Sequence, residues 1–198
     1  MRKDTLDTRF LLFGWAFYLI AFGLTERLIP AEQCHVIHCT LDDLIPFCEI
    51  FVVPYVLWYA LIAGSLLYFL LYNTNNFRRL QIQFIITQVI AIFIYIAFPN
   101  RQELRPDFFP RENVFTWMVA LLYSIDTNTG VCPSLHCAHS LSIASVWLKE
   151  PSASALFKSL IAALSLLICL STLFIKQHSV LDFFAAIPVF LIAEVLTE

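Results

Sequence analysis

The sequence predicts an all-α fold: an integral membrane bundle of six transmembrane helices, with a short interfacial helix between the third and the fourth. Three observations carry that reading. Of the 198 residues, 60% are hydrophobic and only 14% charged, whereas soluble domains are nearer half apolar and about a quarter charged. The apolar residues fall into runs long enough to cross a bilayer, which takes about 20 helical residues. The charges collect in short segments between those runs. The length suits one bundle without a separate soluble domain, so residues 1–198 are read as a single membrane domain. No basic face exists to bind nucleic acid, and a net charge of -3 points to no partner.

Residues 1–9 are a polar lead, and the apolar run from Phe10 to Leu24, extended to Pro30, is the first span. A secretory signal is the rival reading, but Glu26, Arg27 and Pro30 follow instead of a small-residue cleavage site. Residues 31–49 form a loop in which Asp42, Asp43 and Pro46 look like the start of the next helix. Ile50–Tyr72 is a second, uncharged span whose Gly64–Ser65 pair suits close packing. NTNNFRR, residues 73–79, reads as a tight polar turn. Leu80–Phe98 is the third span, with Gln81, Gln83 and Gln88 expected to face other helices. After an Arg- and Pro-rich stretch, Asn113–Ile125 is apolar but too short to cross; it reads as a helix lying at the interface, suited to a lid. Val131–Leu148 is the fourth span, Lys149–Lys158 a loop, Ser159–Ile175 the fifth span and Asp182–Leu196 the sixth.

Six spans put both termini on one side. Arg2, Lys3, Arg9, Arg78, Arg79, Lys149 and Lys158 share that side, against Arg27, Arg101, Arg105, Arg111 and Lys176 on the other. The excess places the termini in the cytoplasm of a multi-pass cell-membrane protein.

The chemistry gathers in three segments that this topology sends to the outer face. The first is the stretch from Ser171 to Asp182, STLFIKQHSVLD. If the chain is helical from Val180, His178 and Asp182 lie one turn apart. The carboxylate can then hold one ring nitrogen and turn the other outward as a base or nucleophile. The bland alternative is a His and an Asp in a solvated interfacial loop. The second is PSLH, residues 133–136. Pro133 suits a first helical turn, and the backbone N–H groups from Ser134 to His136 would form an anion site at a helix N-terminus, with His136 as proton donor. The alternative is an ordinary helix start capped by Ser134. His139 and Ser140 are expected to face neighbouring helices as polar glue. The third is Arg105–Pro106, whose guanidinium fork suits phosphate oxygens. The six cysteines impose no disulfide framework. Cys34–Cys39 can pair, but free thiols are preferred for it, Cys48 and the rest. CHVIHC, residues 34–39, carries zinc-type ligands at a spacing that matches no zinc module, and chance adjacency in a loop is the better reading.

RP, PSLH and S-x6-H-x3-D, in that order, resemble the three signature motifs of the type 2 phosphatidic acid phosphatase (PAP2) superfamily, over roughly residues 99–190. The wording of PSLH and KQHSVLD resembles its lipid-phosphatase and inositolphosphotransferase-like branch. The resemblance implies six spans and a metal-independent, cofactor-free enzyme acting on a lipid phosphate among membrane lipids. It makes His178 the nucleophile that carries a phosphohistidine, and Asp182 its orienter. His136 becomes the acid that protonates the leaving oxygen and later activates water. Arg105 and the backbone around Ser134 would hold the phosphate. Two family cations are missing: a Lys where this chain has Phe98, and an Arg where it has Thr172. Arg101, one turn before Arg105, and Lys176, one turn after Thr172, can replace them if those segments are helical. The expected activity is hydrolysis of a lipid phosphomonoester or pyrophosphate at the extracytoplasmic face. Phospho-head-group transfer to a lipid alcohol is the second reading and a non-catalytic scaffold the third. Substrate and oligomeric state stay open.

Overall fold

The computed structural model describes residue 11 and residues 13–198. The polar lead with Arg2, Lys3 and Arg9, and Phe10 at the start of the first apolar run, lie outside the described residues. The described chain forms eight α-helices: α1 Phe13–Leu28, α2 Thr40–Leu44, α3 Val52–Tyr72, α4 Thr74–Ala97, α5 Val114–Ile125, α6 Leu135–Lys149, α7 Ala155–Phe174 and α8 Val180–Thr197. Two short strands, β1 His35–Val36 and β2 Asn100–Arg101, pair in parallel with His35 opposite Asn100. Four helical segments are long and apolar enough to cross a membrane: Glu49–Tyr72, Thr74–Ala97, Ala155–Phe174 and Val180–Thr197. The described part of α1, with 16 residues, and α6, with 15, are shorter.

The helix carrying PSLH is the centre of the bundle. α6 packs against α3, α4, α7 and α8. Its inner positions are small, Cys137, Ala138, Ser140 and Ser142, and all are fully buried. Small residues let neighbouring helices approach closely where lipid supplies no hydrophobic drive. The main apolar core lies beside it, where Trp58, Phe69, Phe77, Phe84, Ile143 and Trp147 interlock.

Polarity is inverted relative to a water-soluble bundle. Gln81, Gln83 and Gln88 are buried between helices, as are His139 and Ser140, while Leu67, Phe93, Leu160 and Val195 face outward. That surface suits a hydrocarbon solvent and would be an aggregation liability in water. His139 and Ser140 do face neighbouring helices, but their side chains make no hydrogen bond among the described residues. His139 is held by the rings of Trp15, Trp58 and Phe84 instead.

Several boundaries differ from those read in the sequence. The NTNNFRR segment is not a turn. Only Asn73 links α3 to α4, its side chain accepting from Asn76 N at 3.2 Å as the helix cap. The polar residues tolerate a helix because acids meet them. Asn73 and Asn76 both donate to Glu150 at 2.7 Å, and Arg79 donates to Glu194 at 2.8 Å. Lys149 also binds Glu194, which gathers these charges at one end of the bundle. Lys158 lies inside α7, not in the preceding loop. Gly64 opens onto free space, so only its neighbour Ser65 makes the close contact, accepting from Trp147 Nε1 at 2.9 Å.

Asp42 is not the start of the third helix. It sits in the short helix α2, is 2% exposed and grips the N-terminus of α8. Its carboxylate accepts from Ser179 Oγ at 2.7 Å, Val180 N at 2.8 Å and Cys39 N at 2.8 Å. Burial opposes its ionisation, but these three donors outweigh burial and hold the carboxyl below its ordinary value. Its contribution is therefore complete above the ordinary value near ~3.9 and is lost as pH falls through the lowered value of the folded state. Asp42→Ala should cost about 1–3 kcal/mol by stranding buried donors, read as a lower Tm in detergent. The parent should also lose stability below that ordinary value along a limb missing from Asp42→Asn; identical acid limbs would remove the role given to Asp42.

Candidate functional site

The loop between α7 and α8 is built to present His178. α7 ends at Phe174, and Lys176 takes a left-handed φ of 57°, which turns the chain back. The carbonyl of Thr172 then accepts from both Gln177 N and His178 N, at 2.9 and 3.1 Å. Ser179 caps α8, its Oγ accepting from Leu181 N at 3.1 Å. Within this frame His178 Nδ1 donates to Asp182 Oδ2 at 3.2 Å, and Ser179 N donates to the same oxygen at 2.9 Å. The ring is thereby fixed with Nε2 as its free nitrogen. Burial works against the imidazolium, but the hydrogen bond and charge of Asp182 outweigh it, so the His178 pKa is raised above its ordinary value.

His136 reaches the same place from α6. Its ring stands 5.6 Å from that of His178, centroid to centroid. It is packed against Tyr55 and Trp58 of α3 at 4.4 and 4.2 Å, and its Nε2 has no hydrogen-bond partner among the described residues. The approach to α6 is stapled by Asn100, whose Oδ1 accepts from Val131 N and Cys132 N at 2.9 and 2.8 Å. Tyr95 Oη donates to the Pro133 carbonyl at 2.8 Å. Gly130, at φ 60°, lies between Phe22 and Tyr95, where an added Cβ would come within 3.2 Å of Phe22; the turn needs glycine for both reasons.

Both imidazoles open onto one cavity of about 390 Å³ between α1, α3 and the end of α4, within the size range of small-molecule sites. Its wall is aromatic and aliphatic apart from Gly130, the two histidines, Gln177, Asp126 and two threonines. The motif residues His136, His178 and Asp182 thus meet at the end of the bundle opposite the Glu194 charge cluster.

The other expected site residues lie elsewhere. Pro133 precedes α6, and Ser134 is its N-cap, Oγ accepting from Cys137 N at 3.4 Å. Ser134 N donates to the carbonyl of Asp182 at 3.2 Å, so this N–H ties two helices together and is not free for an anion. Arg105 is not on the cavity wall. Its guanidinium donates to Gln177 Oε1 at 2.7 and 3.0 Å and to the carbonyls of Tyr123, Asp126 and Thr127 at 3.2, 2.9 and 2.8 Å, and it lies over the Tyr123 ring. It clamps the 123–127 segment to the His178 loop from behind. The condition for the replacement cations also fails, because neither segment is helical. Arg101 lies in β2 and pairs with Glu103 at 2.7 Å. Lys176 follows the end of α7 and donates to the carbonyls of Asp42 and Ile45 at 2.7 and 2.5 Å.

CHVIHC does not converge. His35 stacks on Phe98, His38 pairs with Asp43 and Cys34 faces the Pro30 carbonyl; no metal-sized group of three ligands occurs among the described residues. The six cysteines are free thiols.

Sequence reasoning missed Asp126, Gln177 and Asn100. Asp126 directly follows α5; its Oδ2 accepts from Tyr55 Oη at 3.1 Å and from Gln177 Nε2 at 2.9 Å, and it lines the cavity. The only available signal was its position, an acid between an apolar helix and the PSLH segment. Comparison with protein-family models, curated proteins and solved structures finds no match to this chain.

Two outcomes follow from this geometry. Asp182→Asn leaves burial to act with less opposition, so His178 should titrate at lower pH than in the parent, checked by NMR of labelled histidine; an unchanged titration would remove the coupling. At Lys176 the left-handed backbone disfavours any Cβ, so Lys176→Gly should be more stable than Lys176→Ala by about 1 kcal/mol, measured by thermal unfolding.

Proposed function

We propose that this chain is a membrane lipid phosphatase of the type 2 phosphatidic acid phosphatase kind, cleaving a lipid phosphomonoester or pyrophosphate through a phosphohistidine. The observation that carries the reading is the meeting of His136 and His178 on one cavity, one ring held by a buried carboxylate and the other unpaired. His178 Nε2 attacks phosphorus, and Asp182 keeps the proton on Nδ1 and offsets the positive charge that develops. His136 gives a proton to the leaving lipid oxygen as the P–O bond breaks. It then takes a proton from the water that cleaves the P–N bond, releasing phosphate and free His178. A bound phosphate's negative charge draws the required proton onto His136. Arg105 acts as a positioning residue through Gln177.

In this reading α1 and α6 complete six spans and α5 lies at the interface. The termini are cytoplasmic on the side of Arg78, Arg79 and Lys149, and the cavity faces outward. The gap between α1 and α3 admits the lipid from the bilayer.

One observation favours a second reading, transfer of a phospho-head-group to a lipid alcohol. The cavity wall carries Asp126 and neither Lys nor Arg, which suits a singly charged phosphodiester better than a phosphate dianion.

The purified protein, given radiolabelled lipid phosphate and quenched in base, should carry an acid-labile phosphohistidine. His178→Ala should abolish it and lower turnover by at least about 10³-fold. His136→Ala should still form it but release it slowly from substrates with a good leaving group. Because the His178 pKa is raised, the acid limb of kcat/KM should lie above the ordinary ~6.5. Full turnover by His178→Ala ends the proposal; free phosphate against head-group transfer separates the two readings.

A further inference from the structure

We infer that the part of the cavity around Asp126 binds an organic ammonium group, making the substrate a lipid whose phosphate carries a cationic head group. This rests on the head-group reading above and names its substrate class.

The carboxylate of Asp126 is fixed through one oxygen and open at the other. Tyr55 and Gln177 both donate to Oδ2, and Oδ1 accepts no hydrogen bond among the described residues. No cation pairs with it there. The nearest guanidinium, that of Arg105, donates to the Asp126 backbone carbonyl and not to its side chain. Arg105 therefore acts on this carboxylate only through space, which leaves Oδ1 without a direct partner among the described residues, and its surroundings are specific. Six aromatic side chains, Trp15, Tyr18, Phe22, Trp58, Tyr59 and Tyr95, line the same cavity. Aromatic faces are negative, and a ring of them beside a carboxylate attracts a weakly hydrated organic cation. A hard metal ion would need several oxygen ligands, and no group of three ligating side chains is present among the described residues.

The connection to the histidines gives the ligand its shape. Gln177 donates to Asp126 and is followed directly in the chain by His178, which lines the same cavity. A cation at Asp126 and a phosphate at His178 would therefore lie side by side, as the ammonium and phosphate of a zwitterionic head group do. The cavity, about 390 Å³, holds a head group and leaves the acyl chains in the gap between α1 and α3.

The test is equilibrium binding to the full-length protein in a detergent or bilayer free of choline and ethanolamine lipids. Choline, ethanolamine, phosphocholine and inorganic phosphate are each titrated, read by quenching of the tryptophans that line the cavity. Choline or ethanolamine should bind, and phosphocholine more tightly than choline. Asp126→Asn should weaken cation binding about tenfold or more, whereas His178→Ala should remove the advantage of phosphocholine over choline. Preference between choline and ethanolamine tells a quaternary from a primary ammonium. If Asp126→Asn fails to fold, Tyr59→Leu serves in its place and should weaken choline several-fold. Absence of choline and ethanolamine binding, or binding indifferent to these substitutions, overturns the ammonium site and leaves the phosphohistidine chemistry standing. Intact choline binding in a protein that forms no phosphohistidine overturns that chemistry alone.

Discussion

Asp182 is the residue through which the two histidine-bearing helices are joined. Its side-chain Oδ2 accepts from His178 Nδ1 and from Ser179 N, and its backbone carbonyl accepts from Ser134 N at the cap of α6. One residue thus fixes the tautomer and direction of His178, the start of α8 and the distance from α8 to α6. Remove its carboxylate and the imidazole loses its orientation; move its backbone and His136 moves relative to His178. Asp42 supports this joint from outside, its carboxylate binding Ser179 Oγ and Val180 N, so the loop between the first two long apolar runs belongs to the site's scaffold.

The surroundings explain why the joint can be rigid. α6 is enclosed by four helices, and its small inner residues bring α8 close enough for a main-chain bond between helix ends. Lipid-compatible surfaces then fall on the outer faces of α3, α4, α7 and α8. Charges are confined to the two ends of the bundle. One end is a closed network around Glu194, where Arg79, Lys149, Gln83 and Ser145 all donate to its carboxylate. The other end holds groups with no hydrogen-bond partner among the described residues: His136 Nε2, His178 Nε2 and Asp126 Oδ1. The first arrangement is what stability demands of buried charge; the second leaves polar groups open to a cavity.

Arg105 and Lys176 show how a motif can be present while its implied contact is not. Both are cations near the histidines in sequence or space, and in this structure Lys176 donates to backbone carbonyls and Arg105 to backbone carbonyls and Gln177 Oε1. Loop carbonyls at the edge of an apolar bundle have few water partners, so long cationic side chains are drawn to them. The cavity wall is left with Asp126 and Gln177 beside the two histidines and two threonines, and with no Lys or Arg among its lining residues.

Apolar run lengths pointed to the helical class, because hydrocarbon length and helix rise are local arithmetic, and the glutamines of the third run marked its inward face. The i, i+4 spacing fixed the His178–Asp182 contact for the same reason. Boundaries were less legible: the polar start of α4 reads as a turn until Glu150 and Glu194, far along the chain, are seen to satisfy its amides and Arg79. By itself the sequence determined a bundle with His136, His178 and Asp182 at one end. Only the tertiary structure decided that Arg105, Ser134, Arg101 and Lys176 are held away from the cavity and that Asp126 lines it. Those outcomes depend on which distant carbonyl or hydroxyl each group meets, and no local pattern encodes that.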